Sequence, residues 1–133
     1  MQDQDASARC CTVLFVDDEV RQIELIRSFL QKRGFRVLVA EDGVEAVEIH
    51  GQHKNEIHLV ILDLGLPRLS GWEAFLSMKE NDPKVRAIFT SGYVGPEIKS
   101  EMANQGVAEI ISKPYLPAEL LVKIRAAINQ PPL

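Results

Sequence analysis

The sequence has few of the features that cross-link or anchor a protein. It contains only two cysteines, Cys10 and Cys11, which are adjacent and can neither cross-link distant segments nor complete a zinc site. No apolar run approaches the roughly 20 residues that a membrane span requires. The first five residues, Met1 to Asp5, are acidic where a secretory signal would be basic. These absences favour a cytoplasmic protein without membrane insertion.

Basic charge is also scarce, because 15 Lys and Arg residues face 19 Asp and Glu residues, a net charge of −4. Binding of nucleic acid by bulk electrostatics needs a concentrated basic face, so we expect no direct contact with nucleic acid. The chain also lacks a Walker loop and a G-x-G-x-x-G motif. ATP or dinucleotide binding therefore has no support in the sequence.

The length and composition are those of one ordinary globular domain. At 133 residues, 46% of them hydrophobic and 26% charged, the chain is long enough for a single core. Residues 1–11 are polar and without periodicity, so we expect a flexible N-terminal leader. The domain should cover residues 12–129. Residues 130–133 should form a C-terminal tail, because Pro131-Pro132 stops the last helix.

Five short apolar runs alternate with five helical patterns along the chain. The runs are residues 12–16, 35–40, 58–62, 85–89 and 107–111. The first helical stripe consists of Val20, Ile23, Ile26, Phe29 and Leu30, and the later helices lie around residues 44–49, 72–79, 95–104 and 117–128. This alternation predicts an α/β fold, a five-stranded parallel sheet with helices on both faces. The length favours the flavodoxin-like strand order 2-1-3-4-5.

Polar residues follow several of the predicted strands. The first strand leads to Asp17 and Asp18, the third to Asp63, the fourth to Ser91 and the fifth to Lys113. The predicted order makes strands one and three neighbours, so the three carboxylates should meet at one edge of the sheet. They cannot all stay ionised there without a cation, and hard oxygen ligands suit Mg²⁺. With a lysine and a hydroxyl alongside, these are the parts needed to accept a phosphoryl group.

Four short motifs resemble the receiver domain of two-component response regulators, over residues 12–129. Each is weak alone, but the four in this order, each at the end of a strand, are specific. They are Val16-Asp17-Asp18-Glu19, Leu62-Asp63-Leu64-Gly65-Leu66-Pro67 with Gly71, Thr90-Ser91-Gly92-Tyr93, and Lys113-Pro114.

The resemblance implies a role for each residue of the site. Asp63 would be the phosphoacceptor, taking a phosphoryl group from the phosphohistidine of a histidine kinase or histidine phosphotransfer domain. Asp18, Asp63 and the backbone carbonyl of Gly65 would bind Mg²⁺, and Asp17 would contribute through a metal-bound water. Lys113 would pair with the phosphoryl oxygens, and its bond to the following proline would be cis.

The resemblance also implies a switch. The hydroxyl of Ser91 would turn towards the phosphoryl group and alter the face formed by the fourth helix, the fifth strand and the fifth helix. That face would bind partners or a second copy of the chain. Two positions depart from the family pattern: Ile110 stands where an aromatic switch residue is usual, and Gly65 has no side chain to shield the phosphoryl group from water.

A receiver domain would catalyse its own phosphorylation and dephosphorylation without being an enzyme for a separate metabolite.

Other interpretations stay open at this point. A haloacid dehalogenase-type phosphatase would share its cation and lysine, but expects an Asp-x-Asp pair after the first strand. A non-phosphorylated pseudo-receiver would serve only for docking, yet Asp18, Asp63 and Lys113 are all present. The chain could be a standalone regulator or the receiver of a hybrid histidine kinase, and its loop motifs favour the latter.

Three histidines and two aromatic residues have simpler interpretations. We expect His50, His53 and His58 to occupy exposed polar positions and not a zinc site, because no acidic or cysteine partners cluster around them in the sequence. Trp72 and Phe75 should form the core face of the third helix.

Overall fold

The computed structural model describes residues 11–92 and 96–129. In the second range, side chains are described from residue 99 onward. The expected leader and tail lie outside this range, apart from Cys11. The described residues form five strands and five helices that alternate along the chain. They are β1 (Thr12–Val16), α1 (Val20–Gln31), β2 (Arg36–Ala40), α2 (Gly43–His53), β3 (Leu59–Asp63), α3 (Gly71–Asn81), β4 (Ala87–Ser91), α4 (Pro96–Asn104), β5 (Val107–Ser112) and α5 (Pro117–Asn129).

The five strands form one parallel sheet in the order β2-β1-β3-β4-β5, which confirms the predicted topology. The register brings the carboxyl ends of the strands to the same edge. Val16 lies opposite Leu62, and Asp63 lies opposite Thr90. The residues that follow β1 and β3 therefore emerge side by side.

Every residue of β1, β3 and β4 is buried, because helices cover both faces of the sheet. Alternate side chains point to opposite faces and divide the core into two clusters. Phe15 and Ile61 pack with residues of α1 and α5 on one face. Leu14 and Val60 pack with residues of α2, α3 and α4 on the other.

Local sequence accounts for several of the helix ends. The hydroxyl of Ser70 accepts a hydrogen bond from the N–H of Glu73, whose carboxylate accepts one from the N–H of Ser70, and this capping box starts α3. Leu116 has no polar side chain with which to cap α5. The Glu119 carboxylate instead accepts a hydrogen bond of 2.7 Å from the Leu116 N–H, which is half of a capping box.

The structure differs from the sequence predictions at several element ends and at one position of the first helical stripe. Cys11 is buried and its carbonyl accepts a hydrogen bond from the Arg36 N–H, so the packed region starts one residue earlier than expected. Val20, assigned to the apolar stripe of α1, is 57% exposed. It is the first residue of α1 and follows exposed residues, and the helix reaches the core only at Ile23. β4 continues to Ser91, because pairing with β5 extends beyond the apolar run.

The described helices are all shorter than a membrane span. None of those in residues 11–92 and 96–129 is long and apolar enough to cross a bilayer.

Candidate functional site

Three aspartates gather at the carboxyl edge of the sheet. Asp63 is the last residue of β3, and Asp17 and Asp18 directly follow β1, its neighbour. One carboxylate oxygen from each lies within 4.8 Å of the others. Asp17 and Asp63 are 1% and 7% exposed, whereas Asp18 faces solvent. The structure thus brings together the three carboxylates that the sequence placed at this edge.

Lys113 bridges two of these aspartates. Its Nζ lies 2.6 Å from Asp63 Oδ2 and 3.3 Å from Asp17 Oδ2. Its backbone N–H donates to the carbonyl of Ser91, which anchors the residue at the end of the sheet. Burial lowers the pKa of Lys113, but its hydrogen bond to Asp63 and the charges of both aspartates outweigh burial and leave the pKa raised. The ammonium group is therefore held in its charged form.

The second oxygen of each buried aspartate is fixed by the backbone. Asp63 Oδ1 accepts a hydrogen bond of 2.9 Å from the Gly65 N–H, and Asp17 Oδ1 accepts one of the same length from the Glu19 N–H. In both cases the donor lies two residues further along the chain, as in an Asx-turn. The carboxylates are thus oriented before any ligand arrives.

The charges of the site suit a divalent cation. The carboxylates of Asp17, Asp18 and Asp63 carry −3 and the ammonium of Lys113 carries +1, so −2 remains when all four are ionised. Burial raises the pKa of Asp17, although the Glu19 N–H and the charge of Lys113 act in the opposite direction. A cation among the carboxylates would relieve this cost of burial. Mg²⁺ fits, because it prefers oxygen ligands and keeps several waters, so not every carboxylate must touch it.

Three other residues predicted for the site lie around this cluster. Ser91 is buried as the last residue of β4, and Ile110 is half-buried in β5 and packs against the core cluster on the face covered by α2, α3 and α4. Gly65 is exposed, and a Cβ built there would have Asp63 Oδ1, 3.7 Å away, as its near neighbour. A side chain at position 65 would therefore stand beside the Asp63 carboxylate. The bond from Lys113 to Pro114 is cis, as the resemblance implied.

A cleft of about 350 Å³ opens beside Lys113, and sequence reasoning gave no role to most of its lining. Glu19 and Gln22 of the α1 region line it from one side, and Pro114 and Tyr115 line it from the other. The Tyr115 hydroxyl is buried and has no hydrogen-bond partner among the described residues, and its burial raises its pKa. The position of Tyr115, immediately after the Lys-Pro pair, is the sequence signal that could have included it.

The histidine prediction is wrong for His50, which is 1% exposed. Its Nε2 lies 3.4 Å from Asp82 Oδ2, so it also has an acidic neighbour that the sequence pattern did not reveal. Burial lowers the pKa of His50, and Asp82 acts against that shift. A signal was present, because residues 43, 46 and 50 share one helix face and the first two are small apolar residues.

The predictions for the other two histidines and for the two aromatic residues agree better with the structure. His58 is exposed and its Nδ1 accepts a hydrogen bond from the Thr12 N–H, while the His53 side chain is 31% exposed beside Glu56. In the described part of the chain, the three aspartates are the only cluster that could hold a metal. Phe75 is fully buried and Trp72 half-buried, with ring centroids 5.7 Å apart.

Residues 13–125 match the family model of the response regulator receiver domain, and the chain belongs to that family. Among its relatives, it is 30% identical to the chemotaxis protein CheY of Bacillus subtilis strain 168, over 88% of this chain and 97% of CheY. It is 31% identical to the response regulator GtcR of Aneurinibacillus migulanus, over 90% of this chain and 48% of GtcR. The chain thus spans about half the length of GtcR and nearly all of CheY.

A similar solved structure is that of a CheX–CheY–BeF₃–Mg²⁺ complex from Borrelia burgdorferi. It has a TM-score of 0.84 and 26% identity over 90% of each chain. The CheY-like fold is therefore shared over almost the whole described range.

Proposed function

We propose that Asp63 is the phosphoacceptor of a histidine–aspartate phosphorelay. It would receive the phosphoryl group from the phosphohistidine of a histidine kinase or a histidine phosphotransfer domain. The observation that carries this proposal is the position of the Asp63 carboxylate at the end of a central strand, 2.6 Å from the Lys113 ammonium and clustered with two further aspartates. Membership of the receiver family supports it.

The transfer exchanges one bond to phosphorus for another. An oxygen of the Asp63 carboxylate forms the new P–O bond while the P–N bond to the donor imidazole breaks. The electron pair of that bond stays on the imidazole nitrogen, and the other ring nitrogen of the donor carries a proton, so the imidazole is neutral after the transfer. Lys113, already in contact with Asp63 Oδ2, would balance the charge of the phosphoryl oxygens, and the Ser91 hydroxyl would donate a hydrogen bond to one of them.

The proposed cofactor is Mg²⁺, held by Asp18, Asp63 and the Gly65 carbonyl, with Asp17 acting through a water. When bound, Mg²⁺ would supply positive charge to the phosphoryl group that the residues of the site lack. Two observations support this choice: the unbalanced charge of the three carboxylates, and the Mg²⁺ in the similar Borrelia burgdorferi complex.

The same site would end the signal by hydrolysis. Water attacks phosphorus, the P–O bond to Asp63 breaks, and inorganic phosphate leaves with the carboxylate restored. Since Gly65 has no side chain to cover the carboxylate, water reaches this position readily. The domain would therefore act on its own phosphoryl group and turn over no separate metabolite.

The signal would leave through the face formed by α4, β5 and α5. Ser91 ends β4, the strand beside β5, and its reorientation would alter the packing around Ile110. With an aliphatic residue at position 110, that change would be a shift in packing and not the rotation of an aromatic ring. The face would then bind a partner or a second copy of this chain. We expect the protein to act in the cytoplasm, as a standalone regulator or as part of a hybrid kinase.

Intact-mass measurement tests the proposal. The protein is incubated with acetyl phosphate, a small phosphoryl donor, with and without Mg²⁺. We expect one phosphoryl adduct in the presence of Mg²⁺ and none in its absence.

Asp63→Asn should abolish the adduct, because an amide cannot replace the carboxylate nucleophile. Asp82→Asn is the matched control: it removes a carboxylate at the opposite edge of the sheet and should leave the adduct unchanged. An adduct of equal yield on Asp63→Asn would overturn the assignment.

A further inference from the structure

The β3–α3 loop, residues 64–70, connects the phosphoacceptor to α3. It carries Gly65, whose N–H holds Asp63 Oδ1 at 2.9 Å. The orientation of the Asp63 carboxylate therefore depends on the position of this loop. Neither the proposed chemistry nor the family motifs account for what holds the loop in place.

The base of the loop is closed by close backbone packing. The Gly71 N–H donates to the Leu64 carbonyl at 3.3 Å, and a Cβ at position 71 would lie 2.2 Å from the Asp63 carbonyl oxygen. Only a glycine permits this approach. Gly65 lies inside the segment that this contact closes.

The upper part of the loop lies against the first turn of α2. The Gly43 N–H donates to the Pro67 carbonyl at 3.4 Å. A Cβ at position 43 would lie 1.9 Å from the Leu69 carbonyl oxygen, so the two backbones are in direct contact. The start of α2 therefore sets where the loop can lie.

Asp42, the N-cap of α2, ties these two segments together. Its Oδ1 accepts a hydrogen bond of 2.8 Å from the Glu45 N–H, and its Oδ2 accepts one of 3.2 Å from Arg68 Nη1. Only 16% of the Asp42 side chain is exposed. The hydrogen bond of the helix cap fixes the orientation of its carboxylate independently of the contact with Arg68. The loop is thus joined to α2 by a side chain that is already oriented.

Arg68 has a backbone conformation that needs such support. Its φ of 67° lies in the left-handed region, and among the described non-glycine residues it alone has a positive φ. A residue with a side chain adopts this conformation at a cost and keeps it when its surroundings hold it. Here the ion pair with Asp42 supplies a contact that favours it.

We propose that Asp42 and Arg68 are positioning residues for the phosphoacceptor. Their ion pair fixes the β3–α3 loop against α2, the loop fixes the Gly65 N–H, and the Gly65 N–H orients the Asp63 carboxylate. The consequence for phosphoryl transfer rests on the function proposed above. The consequence for the Gly65 hydrogen bond does not.

The test measures hydrogen exchange of the Gly65 amide by NMR in the whole chain. Asp42→Asn is the informative variant, because asparagine keeps an oxygen for the helix cap and loses the charge that pairs with Arg68. We expect the Gly65 amide to exchange about three- to fivefold faster in Asp42→Asn and in Arg68→Gln. The slowest amides of β1 and β3 should not change, which separates a local effect from lower global stability.

Three further variants make the result specific. The double variant Asp42→Asn/Arg68→Gln should exchange no faster than either single variant, because all three lose the same ion pair. Arg68→Lys keeps the charge and should restore most of the protection. Arg36→Gln removes another exposed ion pair, with Glu56 at the amino end of β2, and should leave the Gly65 amide unchanged. Wild-type protection in Asp42→Asn, or additive effects in the double variant, would overturn the proposal.

The rate of phosphorylation by acetyl phosphate completes the test. We expect Asp42→Asn to be phosphorylated about two- to fivefold more slowly than the wild type, with Arg36→Gln unchanged. Faster exchange at Gly65 with an unchanged phosphorylation rate would overturn the role of Asp42 in the reaction. If the wild type took up no phosphoryl group at all, the proposed function would fail, and the amide result alone would decide whether Asp42 holds the loop.

Discussion

Charged and polar groups are arranged differently at the two edges of the sheet. At the carboxyl edge, Asp17, Asp18 and Asp63 lie close together, and the Lys113 ammonium contacts two of them, Asp17 and Asp63. Charge of one sign accumulates there, and two of the three carboxylates are buried. Such an arrangement is costly for the free protein unless a ligand balances it.

At the amino edge, several polar groups have a partner on a neighbouring element. The Thr12 N–H donates to His58 Nδ1, and Arg86 Nη1 donates to the Ala127 carbonyl at 2.7 Å. Arg36 pairs with Glu56 on the surface. These contacts connect strands and helices and contribute to the stability of the fold.

The difference separates what stabilises the fold from what performs the chemistry. The same strands end in unbalanced carboxylates on one side and begin in paired polar groups on the other. Ligands in open α/β folds bind outside the carboxyl ends of strands, and the charges here follow that rule. Substitutions at the amino edge should therefore change stability, whereas those at the carboxyl edge should change both stability and the response to cation and phosphoryl donor.

The largest expected effect comes from filling a close contact at the carboxyl edge. In Gly71→Ala the new Cβ would lie 2.2 Å from the Asp63 carbonyl oxygen, so the backbone must shift. We expect the free energy of unfolding, measured with urea, to fall by about 2–3 kcal/mol.

The matched control is Gly51→Ala, near the end of α2 that lies towards the amino edge. A Cβ there meets nothing within 4 Å, so alanine should raise the free energy of unfolding by about 0.5–1 kcal/mol. Equal losses in the two variants would contradict the contact described at Gly71.

His50 should make stability depend on pH at the amino edge. Its pKa is lowered in the folded protein, mainly by burial, so the folded state binds fewer protons than the unfolded state just below pH 6.5. Stability should then fall as the pH drops from about 7 to about 5.5, with a slope of up to about 1.4 kcal/mol per pH unit.

Urea unfolding at several pH values tests this expectation. His50→Gln should show a shallower dependence, while Gly51→Ala, the next residue of the same helix, should keep the wild-type slope. Parallel profiles for His50→Gln and the wild type would show that His50 is not the titrating group.

At the carboxyl edge, a side chain in place of Gly65 should prolong the phosphorylated state. Gly65 does not have a positive φ and its Cβ position is open apart from Asp63 Oδ1, so Gly65→Gln should fold. Its side chain would exclude water from the phosphoryl group and slow hydrolysis by about three- to tenfold. The decay of the adduct by intact mass measures this, with Gly51→Ala as a variant that should decay at the wild-type rate. Equal decay in Gly65→Gln would contradict the role given to water access.

The smallest expected effect is the relief of repulsion among the aspartates. Asp18→Asn removes one exposed charge from the cluster and should raise the free energy of unfolding by up to about 1 kcal/mol in metal-free buffer. Mg²⁺ should stabilise the wild type more than this variant, because Asp18 is a proposed ligand. Thermal unfolding with and without Mg²⁺ measures both the stability of each metal-free protein and the gain in stability that Mg²⁺ gives it. An identical gain from Mg²⁺ in the two proteins would exclude Asp18 as a ligand.

The fold and the core of the site could be predicted because both depend on local pattern. Apolar runs define the strands, and the order of a short parallel sheet places Asp17 beside Asp63. Ser91 was predicted to follow the fourth strand, and pairing with β5 continues that strand through it. The apolar run in the sequence ends before the backbone pairing of β4 with β5 ends.

Features that depend on tertiary distance could not be predicted in this way. His50 is buried because α2 packs on α3 and brings it to Asp82, 32 positions later in the chain. Arg68 meets Asp42 across 26 positions, and nothing in either segment alone specifies that contact. Both pairs arise from how α2 lies against its neighbours.

Reductive trapping of the acyl phosphate tests the central claim most directly. Borohydride reduces an aspartyl phosphate to homoserine, so peptide sequencing by mass spectrometry identifies the phosphorylated residue itself. After incubation with acetyl phosphate and Mg²⁺, we predict homoserine at position 63 and unmodified aspartate at positions 17 and 18. Homoserine at Asp17 or Asp18 with Asp63 unmodified, or none at any of the three, would contradict the account.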